Sequence, residues 1–176
     1  IDVYFATFAK SMAGIGAFLA GDKDVIQFLQ YNMRSQTFAK TLPMAMVKGA
    51  LKRLDMIRTM PELKDTLWKN TNSLQSGLRN AGFDLGTTQT CITPVFLKGD
   101  VPEAMALVYD LRENHGVFCS IVVYPVIPKG LIILRLIPTA THTQTDIDET
   151  IVAFSVIRDL LENGTYKKRA ASMMEE

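Results

Sequence analysis

The chain has 176 residues, 48% hydrophobic and 21% charged, with a net charge of +1 from 19 basic and 18 acidic side chains. That length allows a sizeable core, the composition excludes wholesale disorder, and the balanced charge argues against a nucleic-acid surface. Cys91 and Cys119 fit no metal-ligand spacing and form no disulfide framework. Both read as buried thiols of a protein in the reducing cytosol, and no metal is expected.

Val3 to Phe5 reads as a short strand, followed by a small-residue turn from Thr7 to Gly14 and a second apolar run from Ile15 to Ala20. The stretch Ile1 to Gly21 is interrupted by Asp2 and Lys10 and has no basic leader, so it is read neither as a signal peptide nor as a membrane span. A chain without an initial Met that opens directly into a strand reads as entered in the middle of a fold, hence as a fragment. Asp22 is expected to cap a helix to about Tyr31, and Asn32 to Leu42 reads as an ordered loop. Pro43 suits the first turn of a helix, on which Val47, Leu51, Leu54 and Ile57 recur at helical spacing. Pro61 starts another helix with Leu63, Leu67, Leu74 and Leu78 on one face, and Gly82 ends it.

After Phe83 the pattern becomes mixed. Pro94 to Leu97 reads as a strand, and Asp100 with Glu103 marks the start of a helix to about Glu113. Phe118 to Tyr124 and Leu131 to Ile137 read as buried strands, antiparallel because the connection between them is short. Thr145 and Asp148 are taken as the cap of a last helix, with Ile147, Ile151, Phe154 and Leu161 inward. Lys167 to Glu176 reads as a frayed, charged tail, with Lys167-Lys168-Arg169 solvated or, as lesser readings, touching the phosphates of a ligand or a membrane surface.

Chemistry concentrates near the start. Lys10 lies just past a strand end between two apolar runs, with Thr7 three residues before it and Ser11 directly after. A lysine forced into such a place is rarely buried without purpose, and its flexible amine suits Schiff-base work. The bland reading is a solvated lysine in a surface turn. Arg135 stands inside Ile132-Ile133-Leu134-Arg135-Leu136-Ile137, on the same strand face as Ile133 and Ile137. If both faces are buried, its charge must meet an anion, either a ligand carboxylate or a structural Asp or Glu. His142 reads as a cap or supporting residue, and His115 as a helix C-terminus that favours positive charge.

Three stretches in order carry a family resemblance. Thr7-Phe8-Ala9-Lys10 with Gly16, the loop Phe38-Ala39-Lys40-Thr41-Leu42-Pro43, and Leu134-Arg135-Leu136 with Pro138-Thr139-Ala140 and His142 resemble the motifs of α-oxoamine synthases. Asp146-Ile147-Asp148 is similar to the start of that family's last helix. These are pyridoxal 5'-phosphate (PLP) enzymes of the aspartate-aminotransferase-like, fold type I class. The resemblance implies an α/β fold of which this chain is mostly the small C-terminal α+β domain, an antiparallel sheet packed by helices. It divides the chain into the end of the cofactor domain (1–42), connecting helices (43–82), the small domain (83–166) and a tail (167–176).

By the same resemblance Lys10 holds the cofactor as an imine and is the catalytic residue, Thr7 binds its phosphate, Thr41 reaches the phosphate in the neighbouring subunit, and Arg135 holds the amino-acid carboxylate. Ala39 and Lys40 depart from the hydroxyl and small residues usual in that loop, leaving Thr41 to make any such contact alone. The implied reaction is C-acylation of an amino acid by an acyl-coenzyme A in a cytoplasmic homodimer, with a fragment inactive by itself because the ring-stacking and pyridine-nitrogen partners would precede it. Tyr31 to Gln36 and Val123 to Gly130 are similar to the bacterial serine palmitoyltransferase branch, which implies L-serine, a long-chain acyl group and sphingolipid biosynthesis. Within the family the alternatives are 2-amino-3-ketobutyrate coenzyme A ligase and 8-amino-7-oxononanoate synthase. An ordinary aminotransferase is disfavoured because no arginine follows Lys10 before Arg34. The non-enzymatic alternative is a small interaction or dimerisation domain.

Overall fold

The computed structural model describes residues 1–39 and 41–173. Its contacts divide the chain into two units between Pro61 and Glu62, within the stretch read as connecting helices.

In the first unit, strands β1 (Val3–Thr7) and β2 (Ala17–Gly21) pair antiparallel, with Thr7 opposite Ala17. Successive strand residues face opposite ways, yet Tyr4 and Phe5 are both exposed, so neither of these two side chains is enclosed among the described residues. Helix α1 (Lys23–Asn32) has Asp22 at its N-cap, although the Asp22 side chain makes no capping hydrogen bond. The segment Asn32 to Leu42, expected to be a loop, contains the short helix α2 (Arg34–Phe38). There Met33 O accepts from the backbone N–H groups of Gln36 and Thr37, each at 3.0 Å, and from Thr37 Oγ1 at 3.1 Å. Five residues are too few to show a helical period, which is why the sequence reading missed it. Pro43 stands at the N-cap of α3 (Met44–Thr59), one position ahead of the first helical residue. The helix is where the spacing put it, but Leu51, Leu54 and Ile57 remain exposed.

The second unit is built around helix α4 (Pro61–Asn80) and a three-stranded antiparallel sheet. Leu74 and Leu78 of α4 enter the core, whereas Leu63 stays exposed. Gly82, at φ +85°, ends the helix in a conformation that glycine adopts without strain. Strands β3 (Thr93–Lys98), β4 (Ser120–Val122) and β5 (Leu131–Leu136) lie in the order β3-β5-β4. The predicted antiparallel pairing of the last two is present. Helix α5 (Val101–His115) starts with the Asp100 carboxylate accepting from Glu103 N at 2.9 Å and ends at Gly116, φ +66°. The expected buried strand Phe118 to Tyr124 shrinks to three residues, and Phe118 is 80% exposed. Its ends are taken by other structure: Val117 N–H bonds back to Leu111 O, and Val126 N–H to Val123 O.

Helix α6 (Gln144–Glu162) is capped two residues earlier than expected. Asp146 N donates to Thr143 Oγ1 at 3.2 Å and Thr143 N donates to Asp146 Oδ2 at 2.7 Å. The backbone and hydroxyl donors of Thr143 hold the Asp146 carboxyl below its ordinary pKa. Thr145 with Asp148 offers the same spacing, but the preceding turn is fixed from outside. Asn70, buried on α4, donates from Nδ2 to Thr139 O at 3.1 Å and to His142 O at 2.8 Å. Ile147 and Phe154 are buried as expected, while Ile151 and Leu161 are partly buried against the same core.

The tail reading is corrected through Met173. Residues Thr165–Met173 form helix α7, which packs on α5, and Tyr166 and Ala170 are buried. The reason is a buried acid: Asp110 on α5 accepts from Tyr166 Oη at 2.6 Å, from Asn114 Nδ2, and from Arg169 at 3.2 Å. Burial alone would raise the Asp110 pKa, but the Tyr166, Asn114 and Arg169 donors outweigh it and hold the carboxyl below its ordinary value. Asp110→Ala would leave the Tyr166 hydroxyl without its partner, at an expected cost of about 1–3 kcal/mol, read as a lower urea midpoint. Because the folded pKa is depressed, the stabilisation from ionised Asp110 is present above about pH 4. It is lost as pH falls through the folded value, so the gap between wild type and Asp110→Asn in melting temperature should narrow in acid.

Candidate active site

β1 ends at Thr7, and the chain crosses to β2 through a loop whose backbone bonds to itself. Phe8 N donates to Gly16 O at 2.9 Å, Gly14 N to Phe8 O at 2.8 Å, and Ala13 N to Lys10 O at 2.9 Å. Ala13 takes a positive φ of 42° to close this loop. Lys10 sits within it with an exposed side chain, and no hydrogen bond or ion pair engages its amine among the described residues. Of the two sequence readings, an enclosed amine and a solvated lysine in a turn, the exposed placement is the one seen in this chain. Thr7 Oγ1 lies at the base of the same loop, donating to Gly16 O at 3.2 Å and accepting from Ala9 N at 3.1 Å.

Thr41 belongs to the same unit and is exposed. Its neighbour Leu42 packs on the far end of the loop: a Cβ on Gly16 would lie 2.8 Å from both Leu42 δ-carbons, and Gly16 has φ +102°. The positive φ is what favours glycine there, while the close approach would make the Leu42 side chain shift. Lys40 lies outside the described residues. A cleft of about 340 Å³ in this unit is lined by Phe5, Phe18, Leu19, Ile26, Leu29 and Met33 and does not include Lys10.

Arg135 lies in β5 of the second unit. The strand alternates as the sequence predicts, with Ile132, Leu134 and Leu136 in the core. The opposite face is open, so Arg135 is exposed rather than enclosed on both sides. Its Nε donates to Ser120 Oγ at 3.0 Å, and among the described residues no Asp or Glu pairs with it. The structural ion pair weighed as its bland alternative is absent from that set.

His142 has a supporting place, as its position predicts. Thr139 N donates to His142 Nδ1 at 3.1 Å, which makes Nδ1 an acceptor and puts any proton of the neutral ring on Nε2. The ring borders a cleft of about 280 Å³ with His115, Phe118, Asp146 and Glu149. Cys119 is buried, and burial pushes its thiol up to about 11, while Cys91 is only half-buried. Ser120 and Asn70 escaped the sequence reading. Nothing in the linear pattern marks either one, because their partners are 15 residues or more away along the chain. Among the described residues, no helix is long and apolar enough to cross a membrane.

Comparison with known proteins gives this arrangement its context. The aminotransferase class I and II family model matches residues 1–154. The chain is 64% identical over 176 residues to cysteate-C-fatty acyltransferase of Capnocytophaga ochracea, covering all of this chain and 42% of that protein. It is 39% identical over 151 residues to serine palmitoyltransferase of Sphingobacterium spiritivorum, covering 86% of this chain and 37% of that protein. A high-resolution structure of SPT with PLP superimposes with a TM-score of 0.80 at 29% identity, over 89% of this chain and 39% of that one. The chain thus spans about two fifths of the length of these curated relatives. With more than half its residues matched, it belongs to the aminotransferase class I and II family and, within it, to the α-oxoamine synthases.

Proposed function

We propose that the intact protein is a PLP-dependent acyltransferase that joins a fatty acyl group from a coenzyme A thioester to the α-carbon of an amino acid. The observation that carries this reading is the 64% identity, over the whole chain, to a cysteate-C-fatty acyltransferase. The residues present fit the cofactor: Lys10 offers an exposed amine with no partner among the described residues, and Thr7 offers an exposed hydroxyl at the base of the same loop. Lys10 would hold PLP covalently and Thr7 would bind its phosphate, while Thr41 would reach the phosphate bound in the neighbouring subunit. When bound, PLP supplies an electron sink for charge that develops on the amino-acid α-carbon.

The chain's own residues then have distinct tasks. Lys10 Nζ, once free, is the base for the α-proton. Arg135 holds the substrate carboxylate with a planar, permanently charged fork, which lysine cannot reproduce. In the net reaction a carbon–carbon bond forms and the thioester carbon–sulfur bond breaks. The carboxyl group leaves as carbon dioxide and a proton returns to the α-carbon in its place, and coenzyme A leaves as its thiol with one proton taken from solvent. The same reading takes the protein as a homodimer, supported by the resemblance of the Phe38 to Pro43 loop to the family's subunit-contact loop. It also places the protein in the cytoplasm, in keeping with two cysteines that form no disulfide framework.

Cysteate is the amino acid favoured here, because identity to the cysteate enzyme exceeds identity to the serine enzyme, 64% against 39%. L-serine is the second reading, motivated by the resemblance of Tyr31 to Gln36 and Val123 to Gly130 to that branch. The test is thiol release by the intact protein from palmitoyl-coenzyme A with each amino acid in turn, with product identified by mass. Higher kcat/KM with cysteate is expected, a serine preference would reverse the assignment, and no release with either would remove the acyltransferase reading. Borohydride treatment of the cofactor-loaded protein should fix the label on the peptide that carries Lys10. A label on any other lysine would reject Lys10 as the cofactor residue.

A further inference from the structure

We infer that Ser120 is a positioning residue for the substrate carboxylate, acting through Arg135; this rests on the reading of Arg135 as the carboxylate ligand. Ser120 on β4 stands directly opposite Arg135 on β5 in the strand register. Cross-strand partners on one face are close enough for their side chains to interact. Cys119 is buried, so alternation turns Ser120 to the outer face, where Arg135 also lies. The contact is direct, Arg135 Nε donating to Ser120 Oγ at 3.0 Å.

The choice of nitrogen gives this bond its consequence. A guanidinium has five N–H donors, one on Nε and four on the two Nη nitrogens. A carboxylate can take it side-on, through Nε and one Nη, or end-on, through both Nη. With Nε–H occupied by Ser120, the end-on mode needs no displacement and the side-on mode does. The serine hydroxyl is neutral, so it orients the fork without cancelling the charge that the substrate needs. An acid in that place would orient and neutralise at once, and none pairs with Arg135 among the described residues. Holding a long side chain before the ligand arrives also removes part of the ordering cost of binding.

The experiment compares Ser120→Ala, Ser120→Thr, Arg135→Lys and the double variant Ser120→Ala/Arg135→Lys in the intact cofactor-loaded protein. Amino-acid KM, acyl-coenzyme A KM and kcat are measured for each, together with melting temperature. Ser120→Ala should raise the amino-acid KM by about three- to tenfold, the loss of one modest hydrogen bond, and leave the acyl-coenzyme A KM unchanged. Ser120→Thr keeps the hydroxyl and should restore the wild-type value. Lysine has no Nε–H, so Ser120→Ala should add less than about twofold in the Arg135→Lys background, a coupling that independent sites do not show. A merely structural serine would lower the melting temperature without this selective KM effect.

If Arg135→Lys weakens amino-acid binding but Ser120→Ala does not, or if the Ser120→Ala loss is the same in both backgrounds, the positioning role is wrong and the Arg135 reading survives. If Arg135→Lys itself leaves amino-acid binding unchanged, the carboxylate reading falls and takes this inference with it.

Discussion

Lys10→Ala in the intact protein is expected to reduce thiol release by about a thousandfold or more, within the range that proton-transfer groups contribute and with covalent cofactor attachment lost as well. The structure makes this a clean substitution. The loop around Lys10 is closed by backbone bonds, Phe8 N to Gly16 O, Gly14 N to Phe8 O and Ala13 N to Lys10 O. None of them uses the lysine side chain, which is exposed. Alanine should therefore leave the hairpin and the melting temperature of the cofactor-free protein intact. Any loss of turnover then reads on chemistry rather than folding. Activity is measured with saturating PLP, and borohydride should no longer attach the cofactor to this peptide. A variant that keeps activity within tenfold of wild type would show that the base and cofactor residue lie elsewhere.

Arg135→Lys is expected to weaken amino-acid binding by about ten- to a hundredfold. The substitution keeps the charge and loses the fork, and a hydrogen bond to a charged group is worth about 1.5–3 kcal/mol, or roughly one to two powers of ten in affinity. The sequence left two readings of this arginine, a carboxylate ligand or half of a structural ion pair. They differ in what else changes. An ion pair broken by mutation would lower stability, but the neutral Ser120 hydroxyl is the partner found for Arg135 here. Melting temperature and the Lys10 label should thus stay near wild type while amino-acid affinity, followed by spectroscopic titration, falls. Unchanged affinity in a folded Arg135→Lys protein would reassign the arginine to the surface chemistry of β5.

The strongest local signals in the sequence survived in the structure. The helix spacing after Pro43 and Pro61, Asp100 ahead of α5, Gly82 and Gly116 behind their helices, and the alternation of Ile132 to Leu136 are all present. Each is set by neighbours within a few residues, through backbone conformation, capping or strand pleating. The linear order of Thr7, Lys10, Thr41, Arg135 and His142 was likewise enough to point to the family. Misplaced features share a different cause. The short helix α2 lies below the length at which periodicity is legible. The α6 cap falls at Thr143 rather than Thr145 in a turn that Asn70 grips from α4.

Charge misled where its partner was remote. Lys167 to Arg169 looked like a solvated tail, yet Tyr166 and Arg169 answer a buried carboxylate at Asp110, 56 and 59 positions earlier. At Lys10 and Arg135 the sequence left burial open, with a solvated turn beside an enclosed amine and a strand buried on both faces only as a condition, and both side chains are exposed in this chain. By itself, then, the sequence determined the longer helices, the β5 alternation and the motif order, because local sterics and short-range hydrogen bonds act between near neighbours. Only the tertiary structure decided which polar groups satisfy one another: Asn70 with the Thr139–His142 turn, Asp110 with α7, and Ser120 with Arg135. A buried polar group must find a hydrogen-bond partner wherever the folded chain supplies one, and an exposed guanidinium takes the hydroxyl that strand register sets beside it. Neither choice is written in the spacing of residues along the chain.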